Sequence, residues 1–278
     1  MSKSVYEMVT ERIIEELEKG NIVWEKPWSG SRAGSYNVVS KKSYSLTNQL
    51  LLKHGGAYGT FKQWQDMGGR IRKGEKSEMI VFWKIQIVEV EKEDGTKEEK
   101  KIPILRYYNV FHISQVDGVE LKEESLSELP PIEDAEKIKT DYMEREHLRI
   151  LEYTTDKAFY SPAGDYIQVP ERGQYTDINE FYSTLYHEMI HSTGHKSRLN
   201  RLEQNAFFGT DLYSKEELTA EIGAASIMNL LGLETKKTFR NSAAYIQSWI
   251  KVLRNDPKFI VSAASRAEKA VKYILNEQ

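Results

Sequence analysis

Residues 177–193, DINEFYSTLYHEMIHST, constrain this chain more than any other stretch. At about 100° per residue, Phe181, Tyr182, Leu185, Tyr186, Met189 and Ile190 form one broad apolar face. Such a face must be buried, so the stretch predicts a core helix of a globular domain. His187, His191, Thr184 and Glu180 share the opposite side, with Glu188 flanking them. His187 and His191 are one helical turn apart, close enough to grip one ion. Zinc accepts neutral imidazole nitrogens and needs a further protein ligand plus an open position for catalysis. Glu188 then stands where it can take a proton from water. A solvated polar face is the ordinary alternative. With only six histidines in the chain, however, H-E-x-x-H arises by chance in about one such chain in a hundred.

A third ligand has two possible sources. Gly194 follows the metzincin pattern H-E-x-x-H-x-x-G-x-x-H, but the last histidine falls on Ser197, so the pattern fails. His195 lies just past a helix-ending glycine and leaves the face of the other two, which suits a substrate-side or supporting role. The second source is YSKEELTAEIGAASIM, residues 213–228. An antiparallel return helix brings Glu217 to the metal. It also lets Glu221, one turn on, accept a hydrogen bond from a ligating imidazole and fix its tautomer. Each has a plain alternative: Ser214-x-x-Glu217 is a capping box, and Glu221 is an ordinary helix-surface carboxylate.

The chain length of 278 residues predicts about two domains. An acidic stretch at 121–136 holds the only Pro-Pro pair and predicts a linker at 121–133, between domains at 1–120 and 134–278. Both halves read as α+β. In the first, a helix over 4–19 stops at Gly20, Thr60 caps a short helix ended by Gly68-Gly69, and two long strands flank Asp94-Gly95. In the second, RILEY, AFYSP and DYIQVP predict short strands, with Gly164 turning the last pair. Helices follow at about 177–193, 214–232, 240–254 and 257–276. The absence of cysteine excludes disulfides, thiol catalysis and cysteine-ligated zinc, and fits a reducing cytoplasm. The N-terminus lacks the apolar centre of a signal peptide, and no run of about 18 apolar residues could span a membrane.

The net charge of −3 hides a local imbalance. Residues 26–84 carry eleven Lys or Arg against three acids, with eight aromatics interleaved. Basic side chains hold phosphates and aromatic faces stack unpaired bases. Arg70, Arg72, Lys73 and Lys76 lie in or beside a glycine-flanked loop; with Lys41, Lys42 and Trp28 they are the candidate contacts to single-stranded DNA. Trp64, Phe82 and Trp83 stand where core packing is the default use of an aromatic.

The strand DYIQVP, then H-E-x-x-H, then E-x-x-A-E resembles zincins that use a glutamate ligand. More narrowly, YHEMIHSTGHKSRLNR with EELTAEIGAA resembles the C-terminal domain of ArdC-type antirestriction proteins, carried on conjugative plasmids and other mobile elements. VWEKPW, YGTFKQWQDMGGRIRKGEKSEMIVFWK and YNVFHISQVDG are similar to that family's N-terminal single-stranded-DNA-binding domain. The chain departs from the family at YSLTN, residues 44–48, in place of a glycine-isoleucine-asparagine step, although Asn48 is retained. The resemblance implies a zinc-peptidase-like fold for about residues 134–278. It implies His187, His191 and Glu217 as zinc ligands, Glu188 as catalytic base, an unidentified protein or peptide substrate, and protection of incoming DNA from restriction. Tyr160, Tyr213, His195 and Arg198 are candidates for touching that substrate. A rival is a non-enzymatic DNA-binding protection factor with a structural metal site. A peptidase without a DNA role would leave the basic window unexplained.

Overall fold

The computed structural model describes residues 3–25, 34–91, 97–121, 131–175, 177–202, 211–233 and 243–277. Trp28 and the Asp94-Gly95 turn lie outside them. The fold is mixed α+β. Helix α1 spans Val5–Glu18 and opens on a capping box, in which Ser4 and Glu7 satisfy each other's backbone. Strand β1 (Ser35–Asn37), helix α2 (Leu46–Leu51), strand β2 (Gly56–Gly59) and helix α3 (Phe61–Asp66) follow. Thr60 caps α3 through a second capping box with Gln63, and Gly68 supplies the positive φ of +81° beyond its end.

A short β3 (Arg70–Ile71) pairs with β6 (Val116–Asp117). Between them lies the long hairpin of β4 (Glu78–Glu91) and β5 (Lys97–His112), in continuous antiparallel register from Glu78–Val110 to Glu91–Lys97. The sheet order is β1-β2-β5-β4, so β4 is an edge strand. Near its base that edge is covered. Asn48 of α2 donates to the Val81 carbonyl at 2.9 Å and accepts from the Val81 N–H at 2.7 Å. A buried amide thus stands in for a neighbouring strand, and this gives Asn48 a structural role.

Helix α4 (Pro131–Glu146) leads into a three-stranded sheet, β7 (Arg149–Tyr153), β8 (Phe159–Ser161) and β9 (Tyr166–Pro170), ordered β7-β9-β8. Residues 131–136 of the acidic stretch are therefore helical, with proline in the first turn where its missing N–H costs nothing; residues 122–130 lie outside the described residues. Asp165, not Gly164, takes the left-handed position of the β8–β9 turn, at φ +45°. Helices α5 (Ile178–Thr193), α6 (Asp211–Leu230), α7 (Ala243–Asn255) and α8 (Phe259–Leu275) complete the chain.

Helix α6 is central because it is apolar on two sides. Leu218 and Ile222 join one core with Ile13 and Leu17 of α1, Val81 of β4, Leu105 of β5, Trp249 of α7 and Phe259 of α8. Ala220, Ala224 and Ile227 join the other, with the apolar face of α5 and with Tyr142, Ile167 and Val169. The two sequence halves share the first core. Gly223 sets the approach of α6 to α5: a Cβ there would lie 2.7 Å from Ile190 Cδ1.

Candidate metal centre

The six apolar residues read from the sequence are all fully buried, which fixes the rotation of α5 about its axis. His187 and Glu188 are buried too, and His187 faces Glu217 and Glu221 of α6. The helices run side by side and bring Glu217 to the histidines. Glu217 Oε1 lies 3.5 Å from His191 Nε2, and its Oε2 lies 3.7 Å from His187 Nε2. The two Nε2 atoms are 3.1 Å apart. Four-coordinate zinc, with bonds of about 2.0–2.1 Å, sets its donor atoms about 3.4 Å from one another. The spacing and the chemistry, two imidazole nitrogens and one carboxylate oxygen, both fit such an ion. Among the described residues this is the one group of three or more His, Cys, Asp or Glu so arranged.

Helix α6 begins at Asp211, ahead of Ser214, so no capping box opens there. Ser214 is already inside the helix and is not its N-cap. Glu221 reaches His187, its Oε1 3.8 Å from Nδ1. That is beyond hydrogen-bonding distance, and Nδ1 is buried without a hydrogen-bond partner among the described residues.

Sequence reasoning missed Glu216. Its Oε1 lies 3.1 Å from His191 Nδ1. Its carboxyl is held below the usual range although burial opposes this, because the His191 hydrogen bond and the Arg201 charge favour the anion. An ionised carboxylate only accepts, so Nδ1 donates to it, and Nε2, turned toward Glu217, is the nitrogen that can take a metal in exchange for its proton. Arg201 grips the same carboxylate at 2.8 and 2.9 Å, and also donates to Thr193 Oγ1 and the Ile190 carbonyl. Gly194 makes this possible. A Cβ there would lie 2.7 Å from Leu202 and 3.1 Å from Arg201, so glycine lets residues 195–202 fold back on α5. Burial lowers the His191 pKa, but Glu216, Glu188 and Glu217 outweigh it and push the ring up to about 9. The pocket thus carries the negative charge a divalent cation requires.

The other candidates separate. Arg198 is buried in ion pairs. It holds both oxygens of Asp165 at 2.9 and 2.8 Å, Glu146 at 3.2 Å and the Ser192 carbonyl at 3.0 Å. Tyr160 donates to the same Asp165 at 2.8 Å. Arg198 thus ties the β8–β9 turn to the end of α5, and Tyr160 braces that turn from β8. His195 Nδ1 is 2.7 Å from Ser197 Oγ. The Tyr213 side chain lies outside the described residues.

In the N-terminal half, Arg70, Lys73, Lys76, Lys41 and Lys42 are exposed. Arg72 is exposed but engaged: it donates to Asp117 at 3.3 Å, to Glu75 at 3.0 Å and to the Ser114 carbonyl. Of the three aromatics expected in the core, only Trp64 is there; Phe82 is 44% and Trp83 54% exposed.

A small sheet above a helix bearing two histidines, with a glutamate from the next helix, defines a zincin-like metallopeptidase domain, and the model of that family matches residues 139–266. The N-terminal domain of anti-restriction factor ArdC matches residues 3–111. The chain is 33% identical over 290 residues to the uncharacterized protein y4eC of Sinorhizobium fredii (strain NBRC 101917 / NGR234), covering 99% of this chain and 92% of that one. It is also 33% identical over 306 residues to a DNA primase TraC of Escherichia coli, of which it spans 27%. Among solved structures, the metal-free antirestriction ArdC protein from the R388 plasmid matches with a TM-score of 0.78 at 33% identity, over 99% of this chain and 100% of that one. The Mn(II)-bound form of that protein matches with a TM-score of 0.77 at 32% identity, over 99% and 98%. This chain belongs to the ArdC antirestriction family. No helix among the described residues is long and apolar enough to cross a membrane.

Proposed function

We propose that this protein binds single-stranded DNA through its N-terminal half and hydrolyses peptide bonds at a zinc centre held by His187, His191 and Glu217. The observation that carries the peptidase reading is the convergence of two imidazole Nε2 atoms and one carboxylate at 3.1, 3.5 and 3.7 Å. Imidazole-rich sites of this kind suit zinc. Bound there, the ion supplies a Lewis acid that polarises a carbonyl and acidifies a water. Glu188 follows a ligand directly in sequence and is buried beside the donors, close enough for its charge to act on His191. It takes the proton of the attacking water and passes it to the leaving amine. Glu216 and Arg201 hold His191 in the tautomer this requires.

The DNA reading rests on the basic, aromatic-rich N-terminal half and on the family. It places the protein in the cytoplasm, where incoming DNA meets restriction enzymes, and gives it the role of protecting that DNA.

Zinc-loaded protein incubated with a peptide library, with products read by mass spectrometry, tests the enzymatic half. Wild type should cleave and Glu188→Gln should not. A silent wild type overturns the peptidase reading and favours a non-enzymatic protection factor; cleavage by Glu188→Gln overturns the role of Glu188. For the DNA half, the full chain should bind a labelled single strand with a log affinity that falls by about 0.7 per log unit of salt for each phosphate neutralised. Binding that is absent at low salt removes this half.

A further inference from the structure

The β4–β5 hairpin divides sharply by charge. Residues 79–88 and 100–111 contain Lys84, Lys100, Lys101 and Arg106 and no carboxylate. Glu89, Glu91, Glu98 and Glu99 gather further toward the tip. All four basic side chains are exposed. Lys84 and Arg106 make no ion pair among the described residues, in contrast to Arg72.

Register puts aromatics beside these cations. Phe82 is opposite Arg106, Ile80 opposite Tyr108, and Lys84 opposite Ile104. Side chains alternate along a strand, so Phe82, Lys84, Arg106 and Tyr108 share one face. Phe82 and Tyr108 are 44% and 48% exposed, their ring centroids 6.0 Å apart at 70°. Buried Tyr44 backs Phe82 from below, its centroid 6.3 Å away. Ile80 and Val110, on the same face, are buried with Tyr44, so the aromatic pair begins where the core ends. Tyr44 also follows closely on Lys41 and Lys42, which are exposed. Two half-exposed rings on a paired sheet, flanked by cations that make no ion pair among the described residues, are out of place in a surface that has only to be solvated.

Resting on the DNA reading above, we infer that this face is a stacking platform for unpaired bases: Phe82 and Tyr108 receive bases, while Lys84 and Arg106 hold the adjoining phosphates. Every base offers a π-face and every nucleotide a negative charge, so the platform takes a single strand without regard to sequence. A duplex keeps its bases stacked and offers only phosphates. A second copy of this chain would bring Lys84 and Arg106 against their own like charges, so charge complementarity favours the nucleic acid.

The test uses the full zinc-loaded chain and two labelled oligonucleotides, oligothymidylate and an abasic strand of equal length. Wild type should prefer the strand with bases. Phe82→Ala and Tyr108→Ala should each lower affinity for oligothymidylate by about 5- to 150-fold and leave the salt slope unchanged. The double variant should lose the preference over the abasic strand, and Tyr108→Phe should retain it. Lys84→Ala with Arg106→Ala should flatten the slope by about 0.7 per contact. These side chains are exposed, and unchanged zinc affinity checks that each variant is folded. If wild type binds DNA and the aromatic double variant still discriminates against the abasic strand, the platform is refuted and the DNA reading survives. If wild type binds no DNA, both fall. A wild-type dimer that Phe82→Ala dissolves, with DNA affinity unaltered, assigns the face to a second copy and refutes the platform.

Discussion

The Glu216 carboxylate lies 3.1 Å from His191 Nδ1 and 2.8 Å from the Arg201 guanidinium, so one buried anion orients the His191 imidazole and is itself fixed by a cation. Its ring contact is shorter than the 3.8 Å between Glu221 and His187.

Glu216→Ala should therefore weaken zinc binding by about 10–100-fold, the usual loss for an outer partner of a ligating histidine. Glu221→Ala should cost less. Chelator competition on the two purified variants checks the order, and a larger loss for Glu221→Ala would reverse their roles. DNA affinity should be unaffected by either.

Gly223→Ala should loosen the same site from the apolar side. Alanine is the better helix former by about 1 kcal/mol, but here its Cβ would lie 2.7 and 2.8 Å from two Ile190 carbons. Overpacking of this kind costs about 1–3 kcal/mol and pushes α6, with Glu217, away from α5. Urea unfolding should report the loss, and zinc affinity should fall with it. In an Ile190→Ala background the glycine replacement should cost less, a coupling that a double-mutant cycle measures. An additive pair would show that the close approach is not what glycine provides.

Much of α5 was legible because a broad apolar stripe has only one way to be buried. The return of Glu217 was legible as well, since the next helix had to run back across α5. Glu216 was not. Its partner Arg201 reaches it only because residues 195–202 fold back at Gly194, and no local periodicity encodes that. Phe82 and Trp83 stand where core packing is the default and yet are exposed, because periodicity says that a strand has faces, not how far its neighbours extend along them. Helix α4 was hidden by its composition: Ala135, Tyr142 and Ile138 are a thin apolar stripe among charged residues. The core shared by α1, α7 and α8 was invisible for a related reason, since an amphipathic pattern does not name its partner.

Acid should weaken the turn that steadies α5. Burial alone would raise the Asp165 pKa, but hydrogen bonds from Arg198 and Tyr160 and the Arg198 charge hold it below the ordinary 3.8. A depressed carboxylate contributes stability that is fully present above its unfolded value and is lost as pH falls through the folded one. The Asp165 contribution should therefore hold at neutral pH and disappear below about pH 4. Asp165→Ala should cost about 3 kcal/mol near pH 7, because among the described residues it leaves the buried guanidinium with Glu146 as its one remaining carboxylate. Wild type and variant should converge in stability as the pH is lowered. An equal gap at pH 3 and pH 7 would remove the ion pair as its source.

Zinc affinity, measured by chelator competition for wild type, His187→Ala, Glu217→Ala and Glu188→Gln, tests the centre most directly. Glu217→Ala should lose zinc nearly as completely as His187→Ala, and more than either outer-partner variant, because it removes the charged third donor. Glu188→Gln should bind zinc as wild type does. Wild-type affinity in Glu217→Ala, or a loss in Glu188→Gln as complete as in His187→Ala, would contradict the assignment of ligand and base.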